Sequence, residues 1–263
     1  MHDDLLRLQF NLQRRSHGLT GMTEELQLAG LKVHALRPDA ANARGPLSVV
    51  VLLHGFAVPG TDLISATNEL AVPPNTWLLF PEGPFDLGAA WGENLLGTRG
   101  WWETSAGRLH LARLTGQVRL AEQYANEGIE SVRPVMAALL GEIQSNFDVT
   151  SERIVIGGFS QGAIASLDTV LHYNRKLAGL IFMSGTSVEP DALERMALRK
   201  GQMRALLSHG RLDPILPYVA AESLCAQLTA AQWDVTWVPF DGTHSIPEEV
   251  LRAASSALFR WLS

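Results

Sequence analysis

The pentapeptide Gly158-Phe159-Ser160-Gln161-Gly162 sets a serine between two glycines in a G-x-S-x-G pattern. An apolar run, Ile154-Val155-Ile156, leads into it, and a helix-like run, Ala163-Ile164-Ala165-Ser166-Leu167, leads out. Strand, tight turn and helix form the setting in which such a serine acts as a nucleophile. The reason is steric. The chain crowds itself on both sides of the serine, and only glycine at 158 and 162 lets the flanking segments pass. The turn lifts the hydroxyl clear of the sheet and aims the next backbone N–H, from Gln161, toward an attacked carbonyl. The helix N-terminus adds positive potential where negative charge would develop. The bland alternative is a glycine-rich turn with an inert serine.

A serine hydroxyl is a weak nucleophile and needs a base beside it. The chain has eight histidines. His2 and His17 lie in the N-terminal stretch, His34 in a strand, His110 in a polar segment and His172 late in a helix; these read as surface or packing residues. His54 ends a strand and reads as shaping the turn that follows it. His209, also at a strand end, is the main decoy. His244 lies in Asp241-Gly242-Thr243-His244-Ser245, between the last strand and the last helix. When the nucleophile sits on such a turn, the chain order is serine, then acid, then histidine. Only His244 leaves room for an acid at the end of an intervening strand. That acid is read as Asp213, in His209-Gly210-Arg211-Leu212-Asp213-Pro214. A carboxylate there would accept from imidazole Nδ1–H, fix the tautomer and stabilise the imidazolium. Glu189, Asp191, Asp234 and Asp241 compete; Asp241 could orient His244 locally.

These residues need a frame. Apolar runs at 31–38, 47–53, 76–83, 153–158, 177–185, 204–210 and 234–240 read as strands. Helical stretches fall near 130–146, 160–173, 190–199, 217–231 and 246–262. The alternation implies an α/β fold, a mostly parallel sheet of about seven strands with helices on both faces. The last helix is expected to start from a capping box, Ser245 with Glu248, and to bury a stripe of Ile246, Val250, Ala254, Leu258 and Leu262. The second oxyanion donor should follow an early strand, and Phe56 N–H in His54-Gly55-Phe56-Ala57 is the candidate. Segment 81–113 is the least regular. It is rich in glycine and holds Trp91, Trp101 and Trp102, and it should lie at the carboxyl edge of the sheet, where open α/β sheets carry their sites. These tryptophans could wall a substrate pocket or simply pack the loop.

Composition bounds the rest. The 263 residues are 46% hydrophobic and 18% charged, which suits one well-buried domain, 1–263, with residues 1–29 as an N-terminal extension. The net charge of −6 gives no nucleic-acid surface. No apolar run can span a bilayer. The N-terminus lacks a basic stretch followed by an apolar one, so the cytoplasm is the default expectation. The lone cysteine, Cys225, excludes an internal disulfide and reads as a packed helix thiol. With no H-e-x-x-H pattern and no thiolate cluster, a metalloenzyme is disfavoured and no cofactor is expected.

Leu53-His54-Gly55, Phe80-Pro81-Glu82-Gly83-Pro84, Gly158 to Ala163, His209 to Pro214 and His244-Ser245-Ile246-Pro247 occur in this order. Together they resemble the phospholipase/carboxylesterase family of α/β-hydrolases, which includes acyl-protein thioesterases, over roughly residues 30 to 262. The resemblance implies a compact hydrolase without a separate lid domain, acting on carboxylic esters or thioesters. It supports Ser160, Asp213 and His244 as a triad, with Phe56 and Gln161 as oxyanion donors. Two positions depart from the family pattern: Ala57 and Thr243 stand where glycine is usual. The tryptophan-rich segment is also longer than usual. The leading expectation is a serine esterase that passes through an acyl-enzyme. Its substrate would be a small-molecule or lipid ester. The alternative is a thioesterase acting on acyl-proteins or acyl-thiols. A non-catalytic binding protein on a hydrolase scaffold is disfavoured, because all three triad types occur in the right order. The oligomeric state stays open, a homodimer included.

Overall fold

The computed structural model describes residues 23–38, 45–189 and 191–263. The first part of the N-terminal extension, with His2 and His17, lies outside them. Among the described residues, eight strands form one sheet: β1 Glu24–Leu28, β2 Leu31–Leu36, β3 Ser48–Leu53, β4 Thr76–Pro81, β7 Ile154–Phe159, β8 Gly179–Met183, β9 Arg204–Gly210 and β10 Asp234–Phe240. Their order is β1-β2-β4-β3-β7-β8-β9-β10. The pairs β1–β2 and β2–β4 are antiparallel and the others parallel. A two-stranded ribbon, β5 Phe85–Asp86 with β6 Arg99–Gly100, stands apart.

The expected seven strands are all present. The eighth, β1, falls at 24–28, inside the stretch read as an extension. It was illegible because Glu24, Glu25 and Gln27 make it polar. It turns into β2 through Ala29 and Gly30, both left-handed, as a tight hairpin requires.

The helices are α1 Leu87–Trp91, α2 Ala106–Leu114, α3 Val118–Asn126, α4 Arg133–Phe147, α5 Gln161–His172, α6 Leu193–Lys200, α7 Tyr218–Ala230 and α8 Glu248–Leu262. Segment 81–113 is therefore not one loop. It holds the ribbon, α1, a 3-10 turn at Glu93–Leu95 and most of α2. Alternate residues of β3 feed two cores. Val49, Val51 and Leu53 face one with α4, α5, α6 and α7, while Val50 and Leu52 face the other with α8 and the 3-10 helix Asp62–Asn68. Both faces are thus covered, which is why β3 reads as an unbroken apolar run. Each such fully buried side chain contributes about 1.5–3 kcal/mol.

The capping box is absent. α8 begins at Glu248, its N-cap is Pro247 in an extended conformation, and no side chain caps it. Ser245 Oγ instead lies 3.5 Å from the carbonyl of Thr243. Proline disfavours the helical conformation at Ile246 before it, and the helix starts two residues later than expected. The expected stripe survives, with Val250, Ala254, Leu258 and Leu262 buried.

Candidate active site

β7 delivers Ser160 at the carboxyl edge of the sheet, and α5 starts at the next residue. Ser160 has φ 55° and ψ −120°, a conformation that L-residues avoid. It is held there because its N–H donates to Met183 O at 2.9 Å, at the end of β8, and its carbonyl accepts from Ile164 N–H. A Cβ on Gly158 would lie 2.5 Å from Leu53 O, and one on Gly162 would lie 2.0 Å from the same atom. The elbow therefore needs both glycines for close approach, as the sequence pattern implied.

Asp213 follows β9 and its side chain is buried. Its Oδ1 accepts from Ile215 N–H at 2.7 Å and Leu216 N–H at 2.9 Å. Its Oδ2 lies 2.7 Å from His244 Nδ1 and 3.2 Å from His209 Nε2. Burial alone would raise the pKa of this carboxyl. The His244 charge and the hydrogen bonds from His209 and His244 outweigh burial and hold the group well below the usual carboxylate range. The two loops are sewn together, with Arg211 N–H on Phe240 O and Leu212 N–H on Gly242 O. Thr243 is not among the residues with positive φ, so this position does not need glycine. His244 is itself buried, its ring 4.7 Å from that of Phe159, the neighbour of Ser160. Its Nε2 is buried with no hydrogen-bond partner, and no hydrogen bond joins it to Ser160. With Nδ1–H directed at Asp213, the Nε2 lone pair is free to take a proton.

The competing acids are engaged or remote. Asp241 is exposed and faces Arg211 at 3.4 Å. Glu189 lies on Arg133 and His172, and Asp191 on Arg119. Asp234 is exposed at the start of β10. Asp168, His172 and Glu189 converge closely enough to hold a cation. The guanidinium of Arg133 already occupies both carboxylates, at 2.9 and 2.7 Å.

Neither Phe56 N–H nor Gln161 N–H takes an acceptor among the described residues. Gly55, between β3 and Phe56, packs beside Ser160, since a Cβ there would lie 3.5 Å from Ser160 Cβ. The residue before Phe56 thus lies against the serine, and Gln161 follows the serine directly in the chain. His54 shapes this turn as expected. Its Nδ1 lies 2.7 Å from Gly55 O, and its Nε2 accepts from Gly83 N–H at 2.8 Å. Ala57, where glycine is usual, has φ 60°.

The three tryptophans divide. Trp101 and Trp102 are 1% and 2% exposed, and their indole N–H groups donate to His54 O and Ala125 O. That geometry fits packing. Trp91 is 39% exposed and stands edge-on to Phe56, ring centroids 5.6 Å apart. All three line a cleft of about 1070 Å³ with Phe85, Arg108 and Glu127, and no triad candidate lines it. Sequence reasoning missed the His209 contact with Asp213, for which the i,i+4 spacing was the available signal. It also missed the side-chain bonds of Gln161.

A family model described as Phospholipase/Carboxylesterase matches residues 40–262. The acyl-protein thioesterase 1 of Debaryomyces hansenii is 25% identical over 187 residues, covering 68% of this chain and 75% of that protein. The acyl-protein thioesterase 1 of Schizosaccharomyces pombe is 37% identical over 111 residues, 40% of this chain and 48% of the relative. Among solved structures, the crystal structure of esterase PE8 superposes with a TM-score of 0.73 at 25% identity, covering 88% of this chain and 99% of that one.

Proposed function

Because the chain belongs to the phospholipase/carboxylesterase family of α/β-hydrolases, we propose that it is a serine esterase working through Ser160, His244 and Asp213. Ser160 Oγ attacks the ester carbonyl while His244 Nε2 takes its proton. The oxygen of the tetrahedral intermediate receives hydrogen bonds from Phe56 N–H and Gln161 N–H. His244 then gives the proton to the departing alcohol, leaving an acyl-Ser160. Water, activated by the same nitrogen, releases the acid. Asp213 keeps the imidazole in the tautomer with Nδ1–H and stabilises the imidazolium. The observation that carries this reading is the pairing of His244 Nδ1 with Asp213 at 2.7 Å while Nε2 stays buried and unpartnered.

The substrate is a small-molecule or lipid ester. A second reading, cleavage of acyl thioesters, is favoured by the thioesterase relatives and uses the same machinery. Paired kinetics on matched oxygen and sulfur esters separate the two. Trp91, beside Phe56, is the pocket residue of this proposal. A cytoplasmic setting agrees with the single thiol, Cys225, half-buried and free. Among the described residues no helix is long and apolar enough to cross a membrane.

A fluorophosphonate should label the protein once, at Ser160. Ser160→Ala should lower kcat by about 10³-fold or more with the fold intact. Asp213→Asn should lower kcat by several orders of magnitude and Asp241→Asn hardly at all. Full labelling of the alanine variant, or the reverse ranking of the two aspartates, would overturn the assignment.

A further inference from the structure

The side chain of Gln161 does not reach for solvent or for the space above the serine. It is buried, and all its polar capacity goes to one segment. Oε1 accepts from Trp101 N–H at 2.8 Å; Nε2 donates to Trp102 O at 2.9 Å and to Thr104 Oγ1 at 3.0 Å. The same segment is bonded on its other side to the loop after β3. Arg99 O accepts from Ala57 N–H at 3.0 Å, and Arg99 N–H donates to Val58 O at 2.9 Å. Trp101 adds its indole N–H to His54 O at 2.9 Å. Between these anchors Gly100 lies against Phe56 and Gln161 at once. A Cβ there would be 2.8 Å from the Phe56 ring and 3.4 Å from Gln161 Oε1.

Residues 99–102 therefore add a second link between two pieces of backbone that already meet through the β3–β7 pairing. One carries Phe56 N–H and hangs on β3; the other carries Gln161 N–H and opens α5. We propose that the Gln161 side chain is a positioning residue: through the strap 99–102 it fixes the spacing of the two oxyanion donors. This rests on the reading of those two N–H groups given above. Phe56 N–H sits next to Ala57, which the strap bonds, and Gln161 N–H belongs to the residue whose side chain the strap bonds, so a shift of the strap changes their separation. Stabilisation of a developing oxyanion depends on donors fixed before the reaction, and it fades when they must reorganise. Ala57 fits this picture. Its left-handed conformation holds a strained turn, and its N–H is anchored to the strap itself.

The test compares the parent with Gln161→Leu, which removes all three side-chain bonds, and Gly100→Ala, which wedges the strap away from Phe56. Inhibition by a trifluoromethyl ketone, which adds Ser160 and leaves an oxyanion in place, reads the donors directly. Both variants should lower kcat by about 10- to 100-fold and weaken the ketone by a similar factor. KM should change little, and circular dichroism should match the parent. If kcat and ketone affinity stay within about twofold of the parent, the strap does not set the donors. Loss of activity that only tracks the unfolded fraction, with ketone affinity per folded molecule unchanged, overturns it equally. Should Gln161→Leu not fold, Gly100→Ala and Gln161→Met decide by the same criteria. The parent alone tests the underlying reading. If the trifluoromethyl ketone binds no tighter than its methyl ketone counterpart, or if Ser160→Ala stays active, the oxyanion assignment fails whatever the strap variants do.

Discussion

At the scale of single residues, His54 is the clearest case of burial setting a charge state. Desolvation pushes its pKa down from 6.5 to about 4, and hydrogen bonds at both nitrogens suit the neutral ring. The folded state therefore binds this proton less readily than the unfolded chain does. The resulting stabilisation is fully present above pH 6.5 and is lost as pH falls toward 4. It amounts to about 3 kcal/mol for a shift of this size. Urea midpoints for the parent and His54→Gln should show it: the parent's advantage at pH 7 should shrink as pH is lowered to 4. An advantage that stays constant would mean that the ring is not held neutral. The residue types of the triad candidates were legible because the chemistry demands them in a fixed order. The unusual alanine at 57 was also legible, and its φ explains why glycine is the usual choice there. The second histidine on Asp213 was overlooked as a partner: the i,i+4 spacing only hinted at it, because the contact depends on a loop folding back over four residues.

At the scale of elements, the apolar strands and the helices of the second half could be read because burial on one or two faces imposes a period. Where that pressure weakens, the sequence reads poorly. β1 is half polar, α2 lies mostly in the stretch 81–113 that looked irregular, and α3 was not expected. The serine before α8 resembled a cap, but Pro247 moved the helix start past it. The ribbon and α1 bring Trp91 onto Phe56, the contact on which its proposed pocket role rests. Trp91→Ala should alter the preferred acyl length in a series of p-nitrophenyl esters while leaving the melting temperature nearly unchanged. Trp101→Ala should lower stability by about 3–5 kcal/mol, the usual result of emptying a fully buried aromatic site. It also leaves His54 O without its donor. An unchanged chain-length profile for Trp91→Ala would mean that the cleft beside it is not on the substrate's path.

At the scale of the whole molecule, the groups proposed to react come from four connections at the carboxyl edge of the sheet: those after β3, β7, β9 and β10. The sheet itself does no chemistry. Its center is closed by helices on both faces, so its outermost strands are where other molecules could add to it. β1 carries Glu24 and Glu25, paired with Arg37 and Lys32. β10 contains Pro239, opposite His209 in the β9 register. Charge on one margin and a missing amide on the other both discourage a further strand from zipping on. That feature bears on colloidal behaviour rather than catalysis. Pro239→Val should restore a continuous row of amides along β10, and light scattering at high protein concentration should then detect growing assemblies that the parent does not form. A variant that stays as dispersed as the parent would mean that something other than Pro239 keeps this margin from polymerising.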